Sequence, residues 1–298
     1  MLWLWATLIA AAAQTVRNMT QASLTTRLGT IGATQVRFLF GLPFAVGFLA
    51  LAVWITGEAV PPLTPRAVGF VAVGAVAQIA ATALMLRLMA TQSFAVTTAW
   101  IKTEPVLVAL FAAAVLGDPL TLPVLGSIGL ATLGVLVMTL RPGVAGQMRR
   151  QGGPAAMGLL AGALFGAAAI GFRGGILALP EGGFLIRAST ALVVGLALQS
   201  LILLVWMALF DRAAIGACLA VWRASLGAGF LGALASQFWF IGFSLTSAAN
   251  VRTVALIEVV FAQGLARVWL RQRVTGRQLA GMALLLTGVA LLLRVQTG

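Results

Sequence analysis

Acidic residues are nearly missing from this chain. Its 298 residues hold six Asp and Glu, no histidine and no tyrosine, and one cysteine, Cys218. Without histidine there is no His metal site and no His proton relay. One cysteine excludes an internal disulfide and any Cys-rich metal site. Lysine occurs once, at Lys102, so every other fixed side-chain cation is an arginine. Only 8% of residues are charged, whereas a soluble domain is about one quarter charged. Such a chain lacks the polar groups to cover a water-facing surface.

What is present is apolar. Hydrophobic residues make up 61% of the chain and mean hydropathy is +1.07. A lipid bilayer is the solvent that suits this composition, and 34 glycines allow helices to pack closely there. The net charge of +13 would suit nucleic acid. The arginines, however, sit mostly in short links between apolar runs, where they set topology. We therefore read a lipid bilayer and a small-molecule substrate as partners, no nucleic acid, and no metal or cofactor.

A membrane helix needs about 20 apolar residues to cross roughly 30 Å of hydrocarbon. Ten runs satisfy this, at 2–24, 30–56, 66–89, 93–117 and 121–140, then 154–173, 183–210, 222–245, 248–270 and 275–294. They must be helical, because lipid offers the backbone no hydrogen-bond partner. The first run resembles a signal peptide in its Ala-rich end, but it lacks a positive start and reads as a retained helix.

The chain repeats itself. Residues 95–104 read AVTTAWIKTE and residues 249–258 read ANVRTVALIE, each ending in a carboxylate inside an apolar run. A short polar break, a Thr and a Gly-punctuated apolar run follow each. The first break is Gly117-Asp118-Pro119 with Thr121, Gly126 and Gly134. The second is Arg271-Gln272-Arg273 with Thr275, Gly281 and Gly288. Residues 1–141 and 154–298 are thus two five-helix repeats joined by a loop at 142–153. An odd number of spans per copy inverts the second copy. The expected fold is an all-α membrane protein, with ten transmembrane helices as two inverted five-helix repeats around a central cavity.

Most arginines, Arg27, Arg87, Arg141, Arg212 and Arg271 among them, fall after odd-numbered spans. The positive-inside rule places that side in the cytoplasm and both termini outside. Trp3, Trp5, Trp54, Trp206, Trp222 and Trp269 fall near span ends, as an interfacial aromatic belt requires. Trp100 and Trp239 fall deeper.

Charges at mid-span are expensive and face a cavity or a partner. Lys102 reads as the partner of a substrate carboxylate. Lys102 and Glu104 point about 200° apart at 100° per helical residue, so they do not pair with each other. Pro105 removes a backbone donor beside them. Glu258, the repeat partner of Glu104, is either a ligand for a substrate ammonium, a proton-coupling acid, or a carboxylate tied to Arg252 or Arg173. Glu104, next to the proline, reads as the more structural of the two coupling candidates. Gln78 and Gln237 occupy matching places in the third and eighth spans, where they bind either substrate or a neighbouring helix. Trp100, Trp239 and Phe240 are candidate aromatic walls. Arg173, matching Arg17, either snorkels to headgroups or draws in a carboxylate at a cavity mouth.

These features resemble the EamA-type branch of the drug/metabolite transporter superfamily over nearly the whole chain. Glu104-Pro105 and Gly117-Asp118 are similar to that family's E-P and G-E signatures, with Asp for Glu. The second repeat departs, with Val259 for the proline and Arg271-Gln272 at the turn. The resemblance implies export of small metabolites, amino acids among them, across a bacterial inner membrane. Trp100 resembles an aromatic of the aromatic amino acid exporters. We expect a secondary transporter working by alternating access, for which a monomer suffices. The alternatives are a channel-like or lipid-handling protein and, less favoured with no His and scattered acids, a membrane-embedded enzyme.

Overall fold

The computed structural model describes residues 1–91, 100–139, 152–269 and 275–297. Twelve α-helices occur among them: α1 (Leu2–Leu39), α2 (Leu42–Thr56), α3 (Pro65–Thr91), α4 (Glu104–Phe111), α5 (Leu122–Thr139), α6 (Gly152–Leu177), α7 (Phe184–Phe210), α8 (Arg212–Ala220), α9 (Trp222–Leu245), α10 (Ala248–Val254), α11 (Glu258–Trp269) and α12 (Gly276–Thr297). A π-helical turn, Ala112–Leu116, extends α4, and a 3₁₀ turn, Ala255–Ile257, joins α10 to α11. No strand occurs among the described residues.

Seven stretches of helix among the described residues are long and apolar enough to cross a membrane, and Glu104–Leu116 is a shorter apolar helix. Backbone chemistry sets their ends. Gly29 breaks α1 with φ 66° and ψ −178°, a conformation that costs glycine little. The link expected at 25–29 is thus a break at the last of those residues, with helix on both sides. Gly117 ends the π turn in the left-handed region at φ 69°, as the Gly-Asp-Pro break requires. Thr275 opens α12 through a reciprocal box: Gln278 N–H donates to Thr275 Oγ1 at 3.3 Å and Thr275 N–H donates to Gln278 Oε1 at 2.8 Å. Hydroxyls inside the apolar helices turn back onto their own backbone. Thr15, Ser127, Ser189 and Thr253 each donate to a carbonyl one turn earlier. The loop at 142–153, all but its last two residues, and the break at 271–273 lie outside the described residues.

Two compact units divide the chain. The first comprises Met1–Ile79 with Gly171–Thr246, the second Ala80–Ile170 with Ser247–Gly298. Each takes chain from both sides of the 142–153 segment.

In the first unit α1 packs on α9, α2 on α7, and the end of α6 on α3. The α3–α6 contact is backbone to backbone: a Cβ at Gly171 would lie 2.6 Å from the Gly74 nitrogen. Outside the apolar spans, Glu58 accepts from the N–H of Gly183, which opens α7, and Thr64 donates to the Ala178 carbonyl at 3.1 Å. The short helix α8 was not legible in the sequence. It packs on α1 and carries Cys218 into a core with Val36, Met207 and Ala228. Burial first, and Asp211 second, push the Cys218 thiol up, which keeps it protonated and unreactive.

In the second unit α5 packs along α12 through glycines on both helices. A Cβ at Gly134 would sit 2.4 Å from the Leu285 nitrogen, and one at Gly288 2.5 Å from the Ala131 nitrogen. Small residues let membrane helices approach this closely. Within the same unit α4 packs on α10.

The α5–α12 seam makes a prediction. Gly134→Ala forces backbone apart and lowers the unfolding free energy by about 1–3 kcal/mol, as overpacking does. Gly129→Ala meets no atom within 4 Å and raises it by about 0.5–1 kcal/mol, the helix preference of alanine over glycine. Denaturant unfolding in detergent checks both, and equal stability of the two variants would refute the tight seam.

Candidate functional site

Four charged side chains come together in the second unit, two from each of the similar stretches 95–104 and 249–258. Arg252 grips Glu104 with two parallel hydrogen bonds, Nε to Oε1 at 2.6 Å and Nη2 to Oε2 at 2.7 Å. Lys102 meets Glu258 through one contact, Nζ to Oε2 at 3.4 Å. The pairs cross: each stretch supplies one cation and one carboxylate, and each pair joins the two stretches. The four charges sum to zero.

Local backbone explains why the charges gather here. Helix breaks down at Lys102 and Thr103, just ahead of α4. Thr103 donates its hydroxyl to the Trp100 carbonyl at 2.7 Å, and Pro105 offers no N–H to the carbonyl of Ile101. Ahead of α11 the helix tightens into the 3₁₀ turn Ala255–Ile257 without leaving helical dihedrals. Glu104 thus opens α4 after the turn at Lys102 and Thr103, and Glu258 follows a tightened helical turn. A helix N-terminus carries partial positive charge and favours a carboxylate.

The two pairs are not equivalent. The two cations are equally exposed, at 19%, but the Glu104 side chain is 6% exposed against 13% for Glu258. Planar guanidinium and carboxylate match as a fork, which is among the stronger side-chain contacts and fixes orientation. Lysine presents a point charge on a flexible stem, and 3.4 Å is long for a charged N–H···O contact.

Trp100 lies in this unit too, half-buried, with its Cβ against α6. A Cβ on Gly158 would stand 2.5 Å from it. The remaining candidates are in the first unit, and each is engaged by a neighbouring helix or helix end. Gln78 accepts from Gln199 Nε2 at 2.6 Å. Gln237 donates to Ser189 Oγ at 2.8 Å, and Trp239 donates its indole N–H to Gln14 Oε1 at 3.1 Å. Phe240 stacks obliquely on Phe172, with ring centroids 4.9 Å apart. Arg173 Nε donates to the Thr246 carbonyl at 3.0 Å, just past the end of α9. These contacts are the helix ties that glutamine, indole and guanidinium make in an apolar interior.

Sequence reasoning missed the true partner of Glu104. It offered Arg252 to Glu258 instead, although Arg252 is the one other charge in its repeat stretch. It also missed Ser189 and Gln199, which carry no pattern to mark them. Among the described residues no three His, Cys, Asp or Glu side chains gather in a way that would hold a metal.

Leaving a buried charge without its partner costs about 3–5 kcal/mol, whereas replacing both partners by apolar groups is often neutral or stabilising. Arg252→Met alone should therefore destabilise the protein by about 3–5 kcal/mol. Arg252→Met combined with Glu104→Leu should recover most of that loss. Thermal unfolding in detergent measures both, and additive losses would show that the fork is not a buried, self-contained pair.

Residues 154–294 match the EamA-like transporter family. No curated protein matches the chain. Among solved structures, one described only as the crystal structure of a protein aligns with TM-score 0.68 and 16% identity, covering 97% of this chain and 98% of its own. At that identity the likeness shows the fold alone. With its apolar helices and this match, the chain is a multi-pass membrane protein whose residues 154–294 are similar to the EamA-like transporter family.

Proposed function

We propose that this protein is a secondary transporter that exports small metabolites, neutral or aromatic amino acids foremost, by alternating access across a bacterial inner membrane. The observation that carries the reading is the crossed set of two ion pairs, placed where helix breaks ahead of α4 and tightens between α10 and α11. Interrupted helices with charge at the break are how membrane carriers build sites for ions and small solutes. An amino acid bears a carboxylate and an ammonium, the chemical complements of Lys102 and Glu258. Glu258 is also the better candidate to couple transport to protons, since Glu104 is taken up by the Arg252 fork.

The same proposal includes ten spans in two inverted repeats, 1–141 and 154–298, with both termini outside. The helix pairings support it. Exchanging each span for its counterpart in the other repeat turns α1–α9 into α6–α3 and leaves α2–α7, α4–α10 and α5–α12 unchanged. One chain supplies every element of this scheme, so a monomer suffices.

Purified protein in liposomes preloaded with unlabelled phenylalanine should take up labelled phenylalanine by counterflow, with saturation. Lys102→Ala, folded normally, should lose at least nine-tenths of that exchange. Full activity of this variant would remove Lys102 from the pathway. Uptake that ignores an imposed pH gradient would assign facilitated diffusion and end the coupling role of Glu258.

A further inference from the structure

The two glutamates are equivalent by repeat but not by neighbours. Arg252, which holds Glu104, aligns with Thr98 of the first repeat. Lys102, which holds Glu258, aligns with Leu256 of the second. The duplication therefore kept the carboxylates and supplied their counter-charges separately. One cation is a guanidinium forked at 2.6 and 2.7 Å, and the other an amine at a single 3.4 Å contact. The fork satisfies both oxygens of Glu104, so opening it breaks two charged hydrogen bonds at once and strands a nearly buried carboxylate. Opening the Lys102–Glu258 contact breaks one long contact between partly exposed groups.

An opened Lys102–Glu258 pair still leaves two opposite charges in a poorly solvated site. The four charges of the cluster sum to zero, so a ligand with only a carboxylate would leave it one negative charge in excess. One with only an ammonium would do the reverse. Burial of an unpaired charge penalises both. A ligand carrying both charges a few ångströms apart satisfies the two ends together.

We infer that the Lys102–Glu258 contact is the exchangeable half of the cluster. It opens to water and is refilled by a zwitterion, whose carboxylate faces Lys102 and whose cationic group faces Glu258. The Glu104–Arg252 fork meanwhile stays closed and keeps α4 and α10 in register. The ligand part rests on the transport reading above; the opening of the contact does not.

Lys102 is the chain's only lysine, which makes it a clean chemical reporter. The full chain in lipid nanodiscs is treated with an acetylating N-hydroxysuccinimide ester at one fixed pH, and acetylation at residue 102 is followed by peptide mass spectrometry. Wild-type protein should be acetylated at Lys102 under conditions that leave it folded by circular dichroism. Glu258→Gln, which removes the counter-charge, should be acetylated several-fold faster. Rates are taken relative to a free lysine peptide in the same mixture, which corrects for ester consumed by the amines of the ligands; on that scale L-phenylalanine should slow the wild-type reaction several-fold, while phenethylamine and 3-phenylpropanoate, each with one of the two charges, should not. A panel of other neutral amino acids follows the same scheme.

A Lys102 that stays unreactive in both folded proteins overturns the exchangeable contact. Protection by single-charge analogues equal to that by amino acids, or by no amino acid at all, overturns the zwitterion assignment. Lys102 reactivity with the expected Glu258→Gln acceleration, in protein that performs no counterflow, would sink the transport reading and leave the exchangeable contact standing.

Discussion

A charge in an apolar interior must find its counter-charge inside the protein, and most of what is distinctive here follows from that constraint. Four ionisable side chains beside irregular helical turns of an otherwise oily chain neutralise one another in crossed pairs. The crossing ties residues 102–104 to residues 252–258. Neither of these stretches pairs its own cation with its own carboxylate, so the cluster forms only once α4 and α10–α11 have met. Folding of the second unit and assembly of its charged centre are thus one event.

The two pairs divide the work by chemistry. Arginine suits a fixed tie because its planar fork loses little freedom when bound and holds both carboxylate oxygens. Lysine suits a contact that changes partners, since its charge is compact and its stem flexible. The polar contacts of the first unit, Gln78–Gln199, Gln237–Ser189 and Trp239–Gln14, are of another kind. They join neutral groups, and a neutral hydrogen bond contributes about 1 kcal/mol net. They select which helix faces meet more than they hold the unit together.

Much of this was legible in the amino-acid order. The mid-span charges Lys102, Glu104 and Glu258 announced themselves because nothing else explains a charge at that depth, and the ten-residue echo linked the two carboxylates. Helix ends at Gly117 and Thr275 followed from local turn and capping chemistry. Pairing was not legible, because Arg252 has no counterpart cation in the first repeat and its reach depends on how α10 lies against α4. The helix α8 was hidden between two long apolar runs, where a nine-residue segment looks like a link. The gap between the runs 2–24 and 30–56 marked a boundary, but hydropathy could not say that helix continues on both sides of Gly29. Arg173 read as a group that snorkels to headgroups or draws in a carboxylate, and hydropathy could not show that its Nε donates to the Thr246 carbonyl.

The glycine seam between α5 and α12 has a bearing on traffic through the second unit. Where Gly134, Gly281 and Gly288 bring main chain against main chain, no lumen is left between those two rods for even a water molecule to thread. Any conduit through that unit has to be walled by its other helices, α4 and α10–α11 among them.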